Sequence, residues 1–288
     1  MVSGVPDARK PDCSIDVGVL FAEHGAKVLA FTHRMLGNRA DAEDATQETF
    51  LKAHRQASTF DGRCAPSTWL FAIARNTCLD RLGGGPRSFE SLEAALARGL
   101  AVGRGAPTRE PDAEAERRDH VEAVREGCLL ATLGCLTFDQ RVAFVLRVLC
   151  EVSTSETAVV LDRTENAVRV LTHRARRNLK GFLCRNCSVY DPDNECSCEN
   201  LVEFSLSQGW IGPDDRRVSR HEAAVAATRA AAAVDEVARL VAVFRSLDVP
   251  MLTPDAMERI RDRIQLLRAP AEVRPGAGTD APAGGPAK

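Results

Sequence analysis

The feature that most constrains this chain is residues 153–180, STSETAVVLDRTENAVRVLTHRARRNLK, which predict two helices joined by a tight turn. Ser153 and Glu156 have capping-box spacing, so a short helix is predicted to begin directly after Ser153. Asp162 lies where the chain must bend, and Asp tolerates a left-handed backbone better than most residues other than glycine. Thr164 is placed to cap a second, longer helix.

The second predicted helix has one apolar face and one basic face. Its apolar residues recur at helical spacing, and they are Val168, Leu171, Ala175 and Leu179. Its basic residues fall on other sides: Arg169, His173, Arg174, Arg176, Arg177 and Lys180. Two helices of this kind form a helix-turn-helix, whose second helix fits the DNA major groove. An ordinary helical hairpin with a solvated basic face is the alternative, and the flanking sequence must decide between them.

The composition favours helices and gives no sign of a membrane protein. Aromatic residues make up only 5% of the chain, and the formal net charge of −2 does not by itself indicate a nucleic-acid partner. No apolar run approaches the roughly 20 residues that span a membrane. The N-terminus lacks the apolar core of a secretory signal. We therefore expect a cytoplasmic protein whose ten cysteines are thiols or metal ligands rather than disulfides.

Residues 15–82 predict three further helices. The first ends near Gly37, and the second covers about residues 41–57 with an acidic start that suits the positive end of a helix dipole. A polar loop follows, and the third helix begins just after Pro66. Trp69 lies near its start, where its apolar neighbours favour a place in the core.

These blocks of sequence together are similar to a known family. LGNRADAEDATQETFLKAH and STFDGRCAPSTWLFAIARNTCLDRL resemble region 2 of the extracytoplasmic-function (ECF) sigma factors of bacterial RNA polymerase, and the helix-turn-helix, with its HRARRNL ending, resembles their region 4. The resemblance implies an all-α fold, no enzymatic activity, and promoter-specific transcription initiation. The implied partners are core RNA polymerase, through its β′ clamp helices and β flap, and promoter DNA, with no membrane and no small-molecule substrate.

The resemblance also implies roles for residues of region 2. The acidic helix matches the surface that docks on the β′ clamp helices, and a carboxylate-rich face suits a basic partner; the matching residues are Asp41, Glu43, Asp44, Gln47 and Glu48. A capped, solvated helix start is the alternative interpretation. The loop and helix that follow match the segment that opens the promoter −10 element, where a base must leave the stack; the DNA-binding residues assigned there are Arg63, Arg75, Asn76, Asp80 and Arg81.

In region 4 the resemblance implies that the second helix reads the −35 element. The residues that match its outward positions are Thr164, Glu165, Asn166, Arg169, Val170, His173 and Arg174. Those assigned to the phosphate backbone are Arg176, Arg177 and Lys180. The sequence departs from the family pattern at Leu171, where a basic residue is frequent, and at Thr172, where an inward Leu is usual. Both departures favour a rotated or loosened helix, so we predict no −35 sequence.

The resemblance, together with shifts in composition, divides the chain into segments. They are a flexible tail at 1–14, region 2 at 15–82, a flexible linker at 83–112, region 4 at 113–183, a cysteine-rich metal-binding segment at 184–211, a helical C-terminal extension at 212–268 and a disordered tail at 269–288. The linker contains a helical pattern, SFESLEAALARGL, with no evident partner for its apolar face. In the extension we expect one helix over about residues 219–247 and another over TPDAMERIRDRIQLL.

A cysteine cluster follows the basic helix directly. Its spacing is C-x2-C-x8-C-x-C, and the candidate metal ligands are Cys184, Cys187, Cys196 and Cys198. Four thiolates suit zinc, cadmium or monovalent copper. The placement resembles the CorE-like subgroup of ECF factors, which implies that a metal ion governs activity; a structural zinc site and a CxxC redox switch are the alternatives. Cys128, Cys135 and Cys150 lie on apolar helix faces and are predicted to be small buried hydrophobes.

Two rival functions come from other classes. A cysteine-based oxidoreductase would need a strand before CRNC and a thioredoxin-like pattern, and the sequence has neither. A repressor that works without polymerase would have no use for the acidic helix or the promoter-opening loop.

Overall fold

The computed structural model describes residues 15–103, 111–212, 221–233, 235–247 and 252–268. Within these ranges all regular elements are helices and no strand occurs, as the all-α prediction expected. The tails predicted at 1–14 and 269–288 lie outside the described residues, so they stay predictions.

In chain order the α-helices are α1 (Val17–Leu36), α2 (Arg39–Gln56), α3 (Pro66–Arg81), α4 (Phe89–Gly103), α5 (Pro111–Gly134), α6 (Phe138–Phe144), α7 (Thr154–Leu161), α8 (Glu165–Asn186), α9 (Val202–Ser207), α10 (His221–Ala232), α11 (Glu236–Arg245) and α12 (Pro254–Arg268). Short 3₁₀ turns cover Ala57–Thr59 and Glu199–Leu201. A π-helical turn, Val145–Leu149, continues α6.

The first three helices form a bundle around an apolar core, which confirms the three helices predicted for residues 15–82. Gly37 ends α1 with a left-handed backbone of φ +83°, a conformation that glycine adopts without steric cost. Asn38 then caps α2 by accepting from the backbone of the first turn. Phe31, Phe50 and Leu70, one from each helix, are fully buried in this first core.

The described part of the connection between regions 2 and 4, residues 83–103, contains a packed helix, which corrects the prediction of a flexible linker there. α4 buries Leu96 and packs against α9 and the 3₁₀ turn that precedes it. The approach is so close that a Cβ on Gly103 would lie 2.2 Å from the carbonyl oxygen of Asn200. The apolar face of α4 therefore has a partner, but that partner comes from about a hundred residues later in the chain.

Regions 2 and 4 share the first core, so they are not separate domains in this structure. Leu146 of the π-helical turn and Leu161 of α7 lie in the same buried cluster as Phe50. Two polar contacts cross the same boundary. Arg141 of α6 donates to the carbonyl oxygen of Met35 at 2.6 Å, and Thr68 of α3 donates to Glu156 of α7 at 3.2 Å.

The C-terminal extension contains two helices where the sequence predicted one over 219–247. Asp235 has an extended backbone between α10 and α11 and caps α11 by accepting from the N–H of Ala238 at 2.7 Å. α11 packs on α8 and on the π-helical turn. α12, predicted from its periodicity, packs on α1 and α2, where Ile260 and Ile264 are buried in the first core.

Candidate nucleic-acid interface and thiol cluster

The helix-turn-helix forms as predicted. Ser153 accepts from the backbone N–H of Glu156 at 3.2 Å, and the Glu156 carboxylate accepts from the N–H of Ser153 at 3.1 Å, which completes a capping box. Asp162 ends α7 with a left-handed backbone of φ +52°. Thr164 caps α8 by accepting from the N–H of Ala167 at 3.2 Å. These local contacts fix where α7 ends and α8 begins.

One face of α8 is exposed and carries several basic side chains. The residues assigned to bases are exposed along it: Thr164, Glu165, Asn166, Arg169, Val170, His173 and Arg174. Among those assigned to phosphates, Arg177 is exposed, and Arg176 and Lys180 are half-buried. Val168 and Leu179, on the opposite face, are fully buried. The helix therefore offers cationic and polar groups to solvent over roughly three turns, as major-groove binding requires.

The two departures from the family pattern do not loosen α8, which corrects that expectation. Thr172 is 8% exposed, and its hydroxyl donates to the carbonyl oxygen of Val168 at 2.8 Å, so its inward polar group is satisfied. Leu171 packs half-buried against the first core. The helix continues without interruption from Glu165 to Asn186.

The acidic face of α2 is only partly open. Asp41 and Asp44 are exposed, whereas Glu43, Gln47 and Glu48 are half-buried. Glu43 accepts from Arg39 at 2.9 Å, and Glu48 accepts from Arg81 at 2.8 Å. Burial would raise the pKa of Glu48, but its hydrogen bonds with Arg81 and Lys52 prevail and lower that pKa. The open carboxylates of this predicted set are therefore those of Asp41 and Asp44.

Arg75 faces region 4 rather than solvent, which departs from its predicted place on the promoter-opening surface. Its side chain is only 21% exposed and lies 3.7 Å from the carboxylate of Asp139. Its guanidinium carbon lies 5.4 Å from the ring centroid of Phe138, a cation–π contact. Both partners belong to the first turn of α6, so region 4 engages Arg75 in this structure.

The other residues of that surface are accessible. Asn76 is exposed, and Asp80 is exposed while accepting from Lys52 at 3.1 Å. Arg81 keeps 29% of its side chain exposed. Arg63 is 87% exposed in the loop before α3, where it pairs with Asp61. Trp69 packs half-buried against the first core, as its apolar neighbours predicted, with its ring 5.6 Å from that of Phe60 in the preceding loop.

The cysteine segment assembles differently from the prediction. Because α8 extends to Asn186, Cys184 lies on the helix and is exposed. Cys187 is the C-cap residue of α8, and with Cys196 and Cys198 it packs into a second core beneath α5. Cys128 of α5 packs in the same place. The sequence predicts Cys128 only as a small buried hydrophobe, because no spacing rule connects it to cysteines about sixty to seventy residues later.

Burial disfavours the charged thiolate form of the four cysteines that pack in the second core. Burial raises the pKa of Cys128, Cys187 and Cys198, and it raises the pKa of Cys196 to about 12. In the described part of the chain, no three side chains of His, Cys, Asp or Glu already surround a point where a metal ion could be held. The predicted set of Cys184 with Cys187, Cys196 and Cys198 is not brought together.

Comparison of the sequence with known proteins identifies the family of the chain. The family profile of sigma-70 region 2 matches residues 20–84, and that of sigma-70 region 4 matches residues 126–179. The chain is 30% identical over 173 residues to the ECF RNA polymerase sigma-E factor of Salmonella typhimurium, a match that covers 55% of this chain and 81% of that protein. The chain belongs to the ECF RNA polymerase sigma factors.

The matches cover part of this sigma factor. It is 32% identical over 177 residues to the ECF RNA polymerase sigma factor SigG of Mycobacterium tuberculosis, which covers 54% of this chain and 45% of SigG, so the chain spans about half the length of that relative. A solved structure of CnrH in complex with the cytosolic domain of CnrY covers 58% of this chain and 87% of CnrH at 27% identity, with a TM-score of 0.41.

The second of the two profiles ends at residue 179. The thiols of Cys187, Cys196 and Cys198 therefore lie beyond the regions that define this sigma factor's family, whereas Cys128 lies within region 4. None of the described helices combines the length and the apolar character that crossing a membrane demands.

Proposed function

We propose that this sigma factor binds core RNA polymerase and directs it to start transcription at specific promoters, and that a metal ion at its cysteine cluster modulates that activity. The observation that carries the proposal is the presence of two different surfaces on one chain. α8 exposes a basic face that suits DNA, and α2 exposes Asp41 and Asp44, which suit a basic protein partner. A repressor that acted without polymerase would need only the first surface.

Four exposed groups on α8 have a matching chemistry on DNA. Arg169 and Arg174 can donate two hydrogen bonds to guanine, and Asn166 can bind adenine through both a donor and an acceptor. Arg177 suits phosphate, which supplies affinity and salt dependence but no sequence information. The exposed ion pair of Arg169 with Glu165, at 2.7 Å, contributes little to stability and is easily exchanged for a DNA contact.

The packed arrangement of regions 2 and 4 implies a rearrangement before promoter opening. Arg75 is held by Asp139 and Phe138 of the neighbouring region, and Glu156 at the start of α7 accepts from Thr68. The first of these contacts occupies Arg75, one of the residues of α3 that the function assigns to a separated DNA strand. We infer that binding of core polymerase and DNA replaces them, because both sets of contacts cannot use Arg75 at once.

The metal part of the proposal rests on the chemistry of the donors. Thiolates favour zinc, cadmium and monovalent copper over hard cations. The thiols pack between α5 and the end of α8, which is the recognition helix. An ion that drew the thiols together would therefore act directly on the position of α8 relative to α5. Two alternatives would use the same residues: a zinc site that only stabilises the fold, and a thiol redox switch. Neither requires that metal binding change the position of the recognition helix.

Binding to core polymerase tests the protein-partner surface. Charge reversal of the exposed α2 carboxylates, Asp41→Lys with Asp44→Lys, is expected to weaken co-elution of the full chain with core polymerase by more than about tenfold, because like charges then face each other. Asp193→Lys, in an exposed turn, is the matched control and is expected to bind as the unaltered chain does. Equal binding by both variants would contradict this assignment of α2.

Transcription in the presence of metal ions tests the modulation. Reactions with core polymerase would contain zinc, cadmium or monovalent copper in turn, together with Cys196→Ser/Cys198→Ser. We expect at least one metal to change the yield from the unaltered chain and to leave that of the variant unchanged. Equal transcription under all these conditions would reduce the cluster to a structural role and would leave the sigma activity itself intact.

A further inference from the structure

Two neighbouring cavities lie where α4 packs against region 4. The larger, of about 390 Å³, is lined by residues of α4, α5 and α9 together with Trp210. The smaller, of about 240 Å³, lies between the end of α1, the chain before α4, and α5. Gly37, Arg87, Gly127 and Ala131 line both, so the two cavities adjoin. The volume of the larger one falls within the range of about 300–1,000 Å³ that is typical of small-molecule sites.

The larger cavity has a mostly apolar lining that facing helices supply. Leu92 and Leu96 come from α4, and Val124 comes from α5. Trp210 lines this cavity although the residue is 55% exposed, and its ring packs edge-on against that of Phe204, with the centroids 5.1 Å apart. An apolar group that enters the cavity from water therefore gains burial against aliphatic and aromatic side chains.

A glycine leaves open the space that the two cavities share. Gly127 lies inside α5, where glycine is less favourable than alanine. Apart from its neighbours in sequence and the backbone of its own helix, a Cβ on Gly127 would have no atom within 4 Å. Close packing therefore does not require this glycine, in contrast to Gly103, whose Cβ would collide with Asn200. The missing side chain instead keeps the passage between the cavities open.

The charged side chains that line the cavities are those of two arginines, and among the described residues no carboxylate lines either cavity. Arg87 and Arg141 meet at Gly134, whose carbonyl oxygen accepts from the backbone N–H of Arg87 at 3.1 Å and from the guanidinium of Arg141 at 2.8 Å. Arg141 is 8% exposed, and its Nε has no hydrogen-bond partner within the described ranges. Arg87 is exposed, and its guanidinium forms no ion pair in the part of the chain that the structure describes.

The two arginines differ in what they have left to offer a ligand. Met35 and Gly134 lie at the ends of α1 and α5, where the helix dipole is negative, and Arg141 donates to both carbonyl oxygens. The charge of Arg141 is therefore used by the fold, whereas that of Arg87 is available. A guanidinium binds the oxygens of a carboxylate or a phosphate through two parallel hydrogen bonds.

We propose that the adjoining cavities bind one small amphipathic anion, whose apolar body occupies the larger cavity and whose carboxylate or phosphate group pairs with Arg87. The site goes beyond the proposed function and does not depend on it. Residues of α1, α4, α5 and α6 line the cavities, so an occupant contacts region 2, the linker helix and region 4 together. Its binding therefore favours the packed arrangement of the two regions over a separated one.

Titration of the full chain with three probes tests the site. Dodecanoate and dodecyl phosphate carry the two kinds of anionic group, and dodecanol has a chain of the same length without a charge. Calorimetry measures binding to the unaltered chain, and the fluorescence of Trp210 in a Trp69→Phe background reports occupancy of the larger cavity. We expect one equivalent of at least one anion to bind and to change this fluorescence, and dodecanol to bind more weakly. The tighter of the two anions identifies the head group.

Replacement of the available cation tests the charged end. We expect Arg87→Met to bind the anion about 10- to 100-fold more weakly, because hydrogen bonds to a charged group are lost, and to bind dodecanol as before. Arg98→Met removes the same charge from an exposed position of α4 outside both cavities, and it is expected to bind all probes as the unaltered chain does. Equal affinity of Arg87→Met and Arg98→Met for the anion would overturn the pairing with Arg87.

Filling the shared space tests the cavities themselves. Gly127→Leu places a side chain there and is expected to abolish binding of all three probes, while circular dichroism shows unchanged helix content because leucine is the better helix former. Ala97→Leu, at an exposed position of α4 that lines neither cavity, is the control and is expected to bind normally. Absence of anion binding to the unaltered chain, or undiminished binding to Gly127→Leu, would overturn the proposal. Since these measurements use neither polymerase nor DNA nor a metal ion, such a result leaves the proposed function unaffected.

Discussion

Arg141 is the residue whose removal should most weaken the joint between regions 2 and 4. It is 8% exposed, and one guanidinium nitrogen donates to the carbonyl oxygen of Met35, at the end of α1, at 2.6 Å. Another donates to the carbonyl oxygen of Gly134, at the end of α5, at 2.8 Å. We therefore expect Arg141→Met, which keeps an unbranched side chain, to destabilise the chain through the loss of both hydrogen bonds.

The size of the destabilisation depends on which hydrogen bonds each carbonyl oxygen retains when Arg141 is replaced. The carbonyl oxygen of Gly134 also accepts from the N–H of Arg87 at 3.1 Å, so losing Arg141 costs it one of two bonds. That of Met35 lies in the last turn of α1, where carbonyls lack helical partners, so it stands to lose a buried contact outright. A lost bond costs about 0.5–1.5 kcal/mol and a buried unsatisfied group about 1–3 kcal/mol. Burial lowers the pKa of Arg141, which shows that its charge is partly desolvated in the folded chain. Removing that charge offsets part of the loss, so we expect Arg141→Met to lower the free energy of unfolding by about 2–3 kcal/mol in total.

Urea unfolding measures this prediction. Circular dichroism reports all helices, and the fluorescence of Trp69, measured in a Trp210→Phe background because the chain has two tryptophans, reports region 2. The two curves therefore also show whether the regions still unfold together. Arg163→Met is the control, because Arg163 is 52% exposed and pairs with Asp139 at 3.3 Å, which predicts a change within about 0.5 kcal/mol. A change below about 0.5 kcal/mol for Arg141→Met, with coincident curves, would refute the reasoning about the joint.

Three further predictions concern local structure. Ser153→Ala is expected to destabilise by about 1 kcal/mol through loss of the α7 cap, as measured by urea unfolding, and no change would show that the cap is dispensable. Ile260→Ala is expected to cost about 2–4 kcal/mol because Ile260 is 1% exposed in the first core, whereas Met257→Ala, at an exposed position, should cost little; equal effects would contradict the packing of α12 on α2. Hydrogen bonds from Ser153 lower the pKa of Glu156, so its contribution to stability is present above the unfolded-state pKa of about 4.3 and is lost as pH falls through the lower folded-state pKa. Glu156→Gln should therefore make the free energy of unfolding less dependent on pH below about pH 5. An unchanged pH dependence would contradict the assigned role of the Glu156 carboxylate.

The local parts of the fold could be predicted from the sequence because their signals are local. The capping box at Ser153, the left-handed Asp162 and the glycine that ends α1 each act within a few residues, and each forms as expected. The exposed and buried faces of α8 follow from its periodicity in the same way. These features were enough to indicate a helix-turn-helix and its basic face.

The long-range contacts could not be predicted because no local pattern encodes them. The apolar face of α4 is visible in the sequence, but its partners on α9 and the preceding 3₁₀ turn come much later in the chain. Cys128 carries no spacing signal that connects it with Cys187, and the extension of α8 to Asn186 removes Cys184 from the cluster. Arg75 faces the separated strand in the family pattern, but Phe138 and Asp139 at the start of α6 contact it and cover much of its side chain.

The most direct test of the central claim is mapping of RNA 5′ ends made by core polymerase with this chain on double-stranded genomic DNA. The account predicts discrete start sites that core polymerase alone does not give and that Arg169→Ala/Arg174→Ala reduces strongly, while Arg185→Ala, on the same helix beyond the exposed recognition face, leaves them unchanged. Start sites that were absent, or that were identical with and without the chain, would contradict the account.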